Sequence, residues 1–186
     1  MLFRSGEIKF PVVGPFLSDL NQEIKQEASY SEDLYIVPGK PQNGFYPREL
    51  KSIVVGLDSD TNQKHLLRAY FESIACLIKI YFDKLEFEGQ VAIKNVFATG
   101  ALSQNVPLLQ IMSDILQLPI STVKEVDPAC WGGAVLAGKV SGVWDEKQLK
   151  KTSGQFLSIV PNLDPLSSLA FFNRWQSMSD RCQEKG

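Results

Sequence analysis

Two segments of this sequence combine small and polar residues in patterns that could bind a ligand. In the first, a predicted strand at residues 96–99 ends in Gly100 and Ala101, and a predicted helix begins soon after Asn105. Small residues leave the backbone bare, and the amino end of a helix binds phosphate groups well. The Asn105 amide could also hydrogen-bond the edge of an adenine. An ordinary strand–turn–helix connection would use the same residues, so spacing alone leaves both interpretations open.

The second segment is a glycine-rich helix that we predict at residues 127–141. Each glycine inside a helix costs roughly 0.5–1 kcal/mol relative to alanine, so close packing is expected to offset that cost. Another backbone or a ligand could lie against a bare stripe of the helix, and packing on a sheet without any ligand is the alternative that stays open. The residues of the segment are Gly132 together with the stripe itself, Gly133, Ala134, Ala137 and Gly138.

Other candidate residues are weaker. Gly14 lies between a predicted strand and a predicted helix, where a bare backbone could approach a ribose or a base. The cysteines, Cys76, Cys130 and Cys182, have no CxxC or Cys/His spacing, so no metal site is predicted. An odd number of cysteines is typical of a reducing compartment rather than of a disulfide scaffold. We assign a catalytic function to none of the residues in this sequence.

Alternating strands and helices must position these candidates. Strands followed by helices favour an α/β layer structure with a largely parallel sheet, whose ligands sit at the carboxyl ends of the strands. Asp60 or Thr61 is expected to cap the longest helix, in which apolar residues recur every three or four positions. The predicted strands are residues 8–13, 34–37, 52–57, 96–99 and 119–123, and the predicted helices are residues 15–28, 62–86, from 107, 127–141, a short one near 146 and a terminal one from 165.

Composition limits the class of protein. With 186 residues and 44% apolar residues, the chain can form one globular domain, residues 1–186, with its own core. A formal net charge of −2 argues against a nucleic-acid partner. No stretch approaches the ~18 continuous apolar residues of a membrane span, and the first residues contain no signal peptide. We therefore expect a cytoplasmic protein.

The order of these pieces resembles the carboxy-terminal domain of FGGY-family carbohydrate kinases, most of all the glycerol kinase-like branch. The resemblance covers roughly residues 14–175. It is specific as a colinear set, although each piece alone is not. The matching pieces are the Ala98-Thr99-Gly100 turn with Asn105, residues 109–119, the helix through Gly132 and Gly138, residues 141–144, the Arg68-Ala69…Glu72 helix, residues 145–151 and Phe172-Asn173-Arg174-Trp175.

The resemblance implies an actin-like (ribonuclease H-like) ATPase fold of two domains, with ATP, Mg²⁺ and substrate in the cleft between them. It further implies that Gly14, Ser18, Gly100, Ala101 and Asn105 contact the nucleotide and that the glycine-rich helix supports the site. Three places depart from the family pattern: Ala101 stands where a glycine is usual, and Ser18 where glycerol kinases often have glutamine. The glycine-rich helix usually reads Leu-Gly-Ala-Ala, and here it reads Trp131-Gly132-Gly133-Ala134.

The resemblance also predicts that this chain is an incomplete enzyme. In the family an amino-terminal domain supplies the aspartate base and most substrate contacts, and a Gly-Thr-Gly hairpin grips the phosphates. We find neither in this sequence, and most Mg²⁺ contacts would come from these other parts. We therefore expect part of a kinase that phosphorylates glycerol, inactive alone, with a pentulose kinase fragment and a non-catalytic interaction module as alternatives. The sequence leaves homo-oligomer formation open.

Overall fold

A computed structural model describes residues 33–38, 52–123, 128–144 and 156–183. They contain five strands and four α-helices, which alternate from the second strand onward, as is typical of an α/β fold. The predicted strand at residues 8–13, the helix at 15–28 and the short helix near 146 lie outside the described residues. None of the described helices is both long enough and apolar enough to cross a membrane.

The strands form two small sheets. Strands β1 (Tyr35–Val37) and β2 (Ile53–Val55) pair antiparallel. Strand β4 (Ile120–Val123) lies at the centre of the second sheet, parallel to β3 (Val96–Ala98) and antiparallel to β5 (Phe156–Ile159). The prediction of a largely parallel sheet is therefore wrong for the described residues.

The reason for this error lies in the connections. We predicted no helix between the strands that became β1 and β2, and parallel neighbours need a long crossover connection, usually a helix. In addition, β5 was not predicted at all. It adds the antiparallel edge that is common on α/β sheets.

Four α-helices and one short 3₁₀ helix connect or follow these strands. Their bounds are α1, Gln63–Gly89; the 3₁₀ helix, Ala101–Gln104; α2, Val106–Leu116; α3, Pro128–Val140; and α4, Pro165–Gln183.

The cap of α1 is one residue later than predicted. The Asn62 side chain accepts hydrogen bonds from the backbone N–H groups of Lys64 (2.9 Å) and His65 (3.3 Å). The expected caps are engaged elsewhere: the Thr61 hydroxyl donates to the Asp58 carboxylate at 2.6 Å, and the Asp60 carboxylate accepts a hydrogen bond from the Ser59 hydroxyl at 3.4 Å. Polar side chains before a helix compete for such local bonds, which is why sequence alone did not select the cap.

Two clusters of buried side chains form the core. The first joins α1, α2, α4 and β1, and the second holds the β3–β4–β5 sheet against α2. The first contains Tyr35, Phe71, Ala75, Cys76, Leu108, Ile111, Ile115, Phe171, Phe172 and Trp175, and the second contains Leu109, Leu116, Ile120 and Ile159.

Helix α1 buries charge as well as apolar surface. The Arg68 guanidinium donates to the Glu72 carboxylate at 2.8 Å, one helical turn apart, and both side chains are buried. A buried carboxylate and guanidinium are tolerated when they neutralise each other.

The apolar pattern predicted for this helix is only partly buried. Three of its members, Tyr70, Tyr81 and Leu85, are exposed.

The last segment of the chain is held to α2 by polar side chains. One carboxylate oxygen of Asp114 accepts hydrogen bonds from the N–H groups of Asn162 (2.6 Å) and Leu163 (3.2 Å). The Gln110 amide donates to the carbonyl of Val160 at 3.0 Å. These bonds place α4 on the domain, where Trp175 donates its indole N–H to the carbonyl of Ile36 at 3.2 Å.

Candidate functional site

The turn after β3 has a backbone conformation that only glycine adopts easily. Gly100 has φ +89° and ψ −176°, a region that costs other residues about 1–3 kcal/mol. The N–H and the hydroxyl of Ser103 both donate to the Gly100 carbonyl, at 3.0 and 2.7 Å. These bonds close the 3₁₀ helix onto the carboxyl end of β3, as expected for a ligand site in an α/β sheet.

The outer side of this turn is open. A Cβ atom built on Gly100 would have no described atom within 4 Å. Packing therefore does not explain the glycine, whereas its backbone conformation does. A bare backbone beside open space is also what a close approach by a ligand requires.

Asn105 has a structural function that the sequence analysis did not include. Its side-chain oxygen accepts a hydrogen bond from the N–H of Leu108 at 3.0 Å, and its carbonyl accepts one from the N–H of Leu109 at 3.0 Å. Asn105 is therefore the N-cap of α2, and Pro107 occupies the first turn, where proline is favoured. The predicted contact with adenine stays a prediction.

One further residue that sequence reasoning missed, on strand β4, supports the turn. The Thr122 hydroxyl on β4 donates to the carbonyl of Ser103 at 3.3 Å, and both residues are buried. Thr122 lies opposite Ala98 in the parallel register. A threonine on the same face of the strand as the apolar Ile120 was the available signal, because a buried hydroxyl needs a hydrogen-bond partner.

The small residues of the glycine-rich helix α3 differ in their surroundings. A Cβ atom on Gly138 would lie 2.5 Å from the indole of Trp144, so Gly138 makes room for that ring. Trp144 in turn lies 5.8 Å, centre to centre, from the ring of Trp131. Gly132 and Gly133 have no described atom within 4 Å of a built Cβ, and Ala134 and Ala137 are exposed.

The expected packing of α3 on a sheet is therefore not seen at Gly132 or Gly133 within the described residues. Gly138 has a close partner in Trp144, which also contacts Trp131. The suggestion that this helix supports a nucleotide site stays a prediction.

Three predicted site features fall outside what the structure describes: Gly14, Ser18 and the side chain of Ala101. Of the five predicted nucleotide contacts, the structure brings Gly100, the backbone of Ala101 and Asn105 together in one turn. Among the described side chains, no group of three or more His, Cys, Asp or Glu residues could hold a metal ion.

Comparison with known proteins places this turn in a family. Residues 10–140, more than half of the chain, match the model of the FGGY family of carbohydrate kinases, C-terminal domain. The glycerol kinase of Aquifex aeolicus is 27% identical over 165 residues, which cover 87% of this chain and 34% of that protein. Glycerol kinase 5 of Mus musculus is 36% identical over 127 residues, which cover 65% of this chain and 23% of that protein.

Solved structures show the same fold. The Plasmodium falciparum glycerol kinase with ADP superposes with a TM-score of 0.69 at 20% identity, covering 91% of this chain and 35% of that one. A xylulose kinase from Brucella ovis superposes with a TM-score of 0.71 at 18% identity, covering 91% of this chain and 36% of that one.

The chain thus spans about a third of the length of the relatives that it matches. The family match contains the Gly100 turn, α2 and all of α3. The chain belongs to the FGGY family of carbohydrate kinases and matches its C-terminal domain.

Proposed function

We propose that this chain provides the nucleotide-binding side of an ATP-dependent polyol kinase whose phosphoryl acceptor is glycerol. Family membership supports a carbohydrate kinase. Glycerol kinases from Aquifex aeolicus and Limosilactobacillus reuteri support the choice of glycerol. The glycerol kinase of Plasmodium falciparum, whose structure contains ADP, supports a nucleotide ligand for this fold.

The geometry of the Gly100 turn is the observation that carries the proposal. A glycine-only conformation lies at the carboxyl end of β3, beside open space and just before the amino end of α2. Backbone N–H groups in such a position suit the oxygens of a nucleotide. Gly100, Ala101 and Asn105 would hold the adenosine part, with Gly14 and Ser18 as further contacts.

In this proposal the chain binds and orients the nucleotide, and other protein parts complete the reaction. Phosphoryl transfer depends on positioning and on stabilising charge, to which Mg²⁺ contributes when it is bound with ATP. We assign the base that accepts the hydroxyl proton, the acceptor pocket and most Mg²⁺ contacts to parts of a kinase outside the third that this chain spans. Because a general base alone contributes about 10²–10⁴ in rate, we expect the chain alone to be inactive.

Titration of Mg²⁺–ADP into the purified chain by calorimetry tests the proposal. The variants Asn105→Ala and Asn105→Ser separate the two functions of this residue. Serine still caps α2 through its hydroxyl, whereas alanine does not. Neither can offer an amide to adenine. We expect saturable binding that both variants weaken by up to about tenfold, the equivalent of one hydrogen bond, while only alanine lowers stability.

Absence of binding at millimolar ADP, by a chain that still unfolds cooperatively, would contradict this function and favour an interaction module. Binding that serine leaves unchanged would remove Asn105 from the nucleotide contacts without removing the site.

The expected inactivity of the chain alone is tested separately, with two acceptors. A pentulose is the second candidate, because a xylulose kinase shares the fold. Purified chain is incubated with Mg²⁺–ATP and either glycerol or xylulose, beside a control without protein. We expect no phosphorylation of either. Turnover of glycerol would show that the chain is a complete enzyme. Turnover of xylulose alone would show the same and would replace glycerol as the proposed acceptor.

The cytoplasmic location expected from the sequence stays a prediction.

A further inference from the structure

Hydrogen bonds through Ser103 connect the Gly100 turn to strand β4. The N–H and the hydroxyl of Ser103 donate to the carbonyl of Gly100 at 3.0 and 2.7 Å. The carbonyl of Ser103 accepts a hydrogen bond from the Thr122 hydroxyl at 3.3 Å. Ser103 and Thr122 are both buried. A continuous path of hydrogen bonds therefore leads from Thr122 through Ser103 to the carbonyl of Gly100.

Thr122 begins this path at a well-fixed place in the fold. It lies in the central strand of its sheet, paired with Ala98 of β3 on one side and with Leu157 of β5 on the other. Neighbouring strands on both sides hold its backbone, and its β-branched side chain has few rotamers. The hydroxyl of Thr122 can therefore fix the position of Ser103 relative to the sheet.

Gly100 permits the conformation of the turn but does not select it. Its φ of +89° and ψ of −176° are easily reached by glycine. Glycine, however, also has more alternative backbone conformations than any other residue. Contacts from other residues must therefore favour the observed conformation, and the two hydrogen bonds that Ser103 donates to the Gly100 carbonyl have this effect.

We propose that Thr122 is a positioning residue of the nucleotide site, because its hydroxyl, acting through Ser103, keeps the Gly100 turn in the conformation that binds ADP. This inference rests on the proposed function, which places the nucleotide at that turn. A turn that is ordered before its ligand arrives avoids the free-energy cost of ordering on binding. Because Thr122 is buried, its hydroxyl acts on the turn and not on the ligand.

The variant Thr122→Val tests this inference by replacing the hydroxyl with a methyl group. Valine has nearly the same shape and is favoured in strands, so we expect the variant to fold. Calorimetry measures the dissociation constant of Mg²⁺–ADP for the purified chain, and NMR measures the rate of hydrogen exchange at the Ser103 N–H. We expect exchange to become about tenfold faster, the equivalent of one hydrogen bond, and the dissociation constant to rise about threefold or more.

The change in affinity is expected to be the smaller one because the two measurements differ in what they report. Exchange reports the free energy of opening the turn, whereas affinity falls only with the fraction of chains whose turn is out of place. Thr122→Ser keeps a hydroxyl at this position. It should therefore return both quantities to within about twofold of the wild-type values.

Ser168→Ala is the matched control. The Ser168 hydroxyl is also buried, and it donates to the carbonyls of Asp114 (2.8 Å) and Ile115 (3.3 Å). Its removal should lower the stability of the fold, as Thr122→Val does. It should leave ADP affinity and exchange at Ser103 unchanged, because neither carbonyl belongs to the turn.

Ser103→Ala interrupts the same path at its other end, where the Ser103 hydroxyl donates to the Gly100 carbonyl. This variant keeps Thr122 and should also weaken ADP binding, so the inference can be tested even if Thr122→Val does not fold. Unchanged ADP affinity in Ser103→Ala would contradict the inference.

The inference and the proposed function fail separately. If the wild-type chain binds ADP and Thr122→Val binds it equally well, the inference is overturned and the nucleotide function stands. The same conclusion follows if Ser168→Ala weakens binding as much as Thr122→Val does. If the wild-type chain binds no ADP, the proposed function is wrong. Faster exchange in Thr122→Val would then still show that Thr122 holds the turn, and unchanged exchange would overturn the inference as well.

Discussion

At the scale of single residues, three glycines in the described part of the chain differ in what requires a glycine there. Gly100 has a positive φ and no close neighbour, so its backbone conformation requires glycine. Gly138 has helical geometry but faces an indole ring, so its missing side chain matters. Gly132 has helical geometry and open surroundings, and neither constraint applies in the described residues. A sequence shows the same letter at all three positions.

Substitution by alanine should therefore have opposite effects at two of these sites. Gly100→Ala should destabilise the domain by about 1–3 kcal/mol, because alanine must adopt a strained conformation there. Gly132→Ala should stabilise it by roughly 0.5–1 kcal/mol, because alanine is the better helix former. Urea unfolding followed by circular dichroism measures both free energies of unfolding.

Each variant serves as the other's control, since both add one methyl group in open space. A stable Gly100→Ala protein would mean that the turn relaxes to another conformation. A destabilised Gly132→Ala protein would mean that an undescribed segment lies against α3.

At the scale of helices and strands, sequence patterns predicted most elements and few of their partners. The helix expected from residue 107 and the strand at residues 119–123 were confirmed within one residue, because apolar spacing and proline are local signals. Strand β5 was missed, since its pairing with β4 depends on residues 33 or more positions earlier in the chain. Long-range pairing of this kind leaves little trace in the strand's own sequence.

The candidate site shows the same contrast between local residues, which were predicted, and their contacts, which were not. The turn from Gly100 to Asn105 was predicted from its small and polar residues. Two of its hydrogen bonds were not predicted: the one that the Leu108 N–H donates to the Asn105 side chain, and the one that the Thr122 hydroxyl donates to the Ser103 carbonyl. Both depend on which atoms meet in space. A polar residue before a helix can cap the helix or contact a ligand. Only the three-dimensional structure showed that Asn105 is a cap.

Helix α4 allows a test of capping by pH. Asp164 accepts hydrogen bonds from the N–H groups of Leu166 (3.1 Å) and Ser167 (3.0 Å). Hydrogen bonds from Ser167, its hydroxyl first and then its N–H, lower the pKa of Asp164 below the usual 3.8. A lowered pKa in the folded state stabilises the fold above the pKa of the unfolded chain, and this stabilisation is lost as pH falls through the folded-state value.

The wild-type chain should therefore melt at a higher temperature than Asp164→Asn at pH 6, and the two melting temperatures should converge as pH falls below the lowered pKa of Asp164. Asparagine keeps a capping oxygen but has no charge to lose. Other carboxyl groups titrate in both proteins, so their effects cancel in the difference. A difference that does not change with pH would show that the charge of Asp164 adds nothing to the cap.

At the scale of the whole molecule, the two ends of the described chain share one core. Trp175 of α4 donates to the carbonyl of Ile36 in β1, across 139 positions of sequence. Phe171 and Phe172 of α4 join the same cluster as Phe71 of α1. The core therefore depends on residues beyond the family match, which ends at residue 140. Loss of α4 would uncover the first cluster, so the domain should unfold as one unit.

Cys76 can report on this unit because it lies at the centre of the first cluster with no exposed surface. Burial chiefly raises the pKa of its thiol, and the nearby Glu72 carboxylate raises it further. Only the thiolate reacts with alkylating reagents, so native Cys76 should be inert. Cys182 is half-buried and Cys130 is exposed, and both should react without unfolding.

Alkylation by iodoacetamide at pH 8 should therefore modify Cys76 at least about a thousandfold more slowly than Cys182, because a marginally stable domain still opens only rarely. Mass spectrometry of peptides measures the three rates, and the variant Cys130→Ser/Cys182→Ser isolates the slow one. The rate of Cys76 modification should rise with urea in parallel with the fraction of globally unfolded chain. The reason is that Cys76 lies on α1 in a cluster with side chains of α2 and α4, so we expect no smaller opening to expose it. Rapid modification of Cys76 without urea would mean that α4 leaves the core while the rest stays folded, and the domain would then consist of two cooperative units.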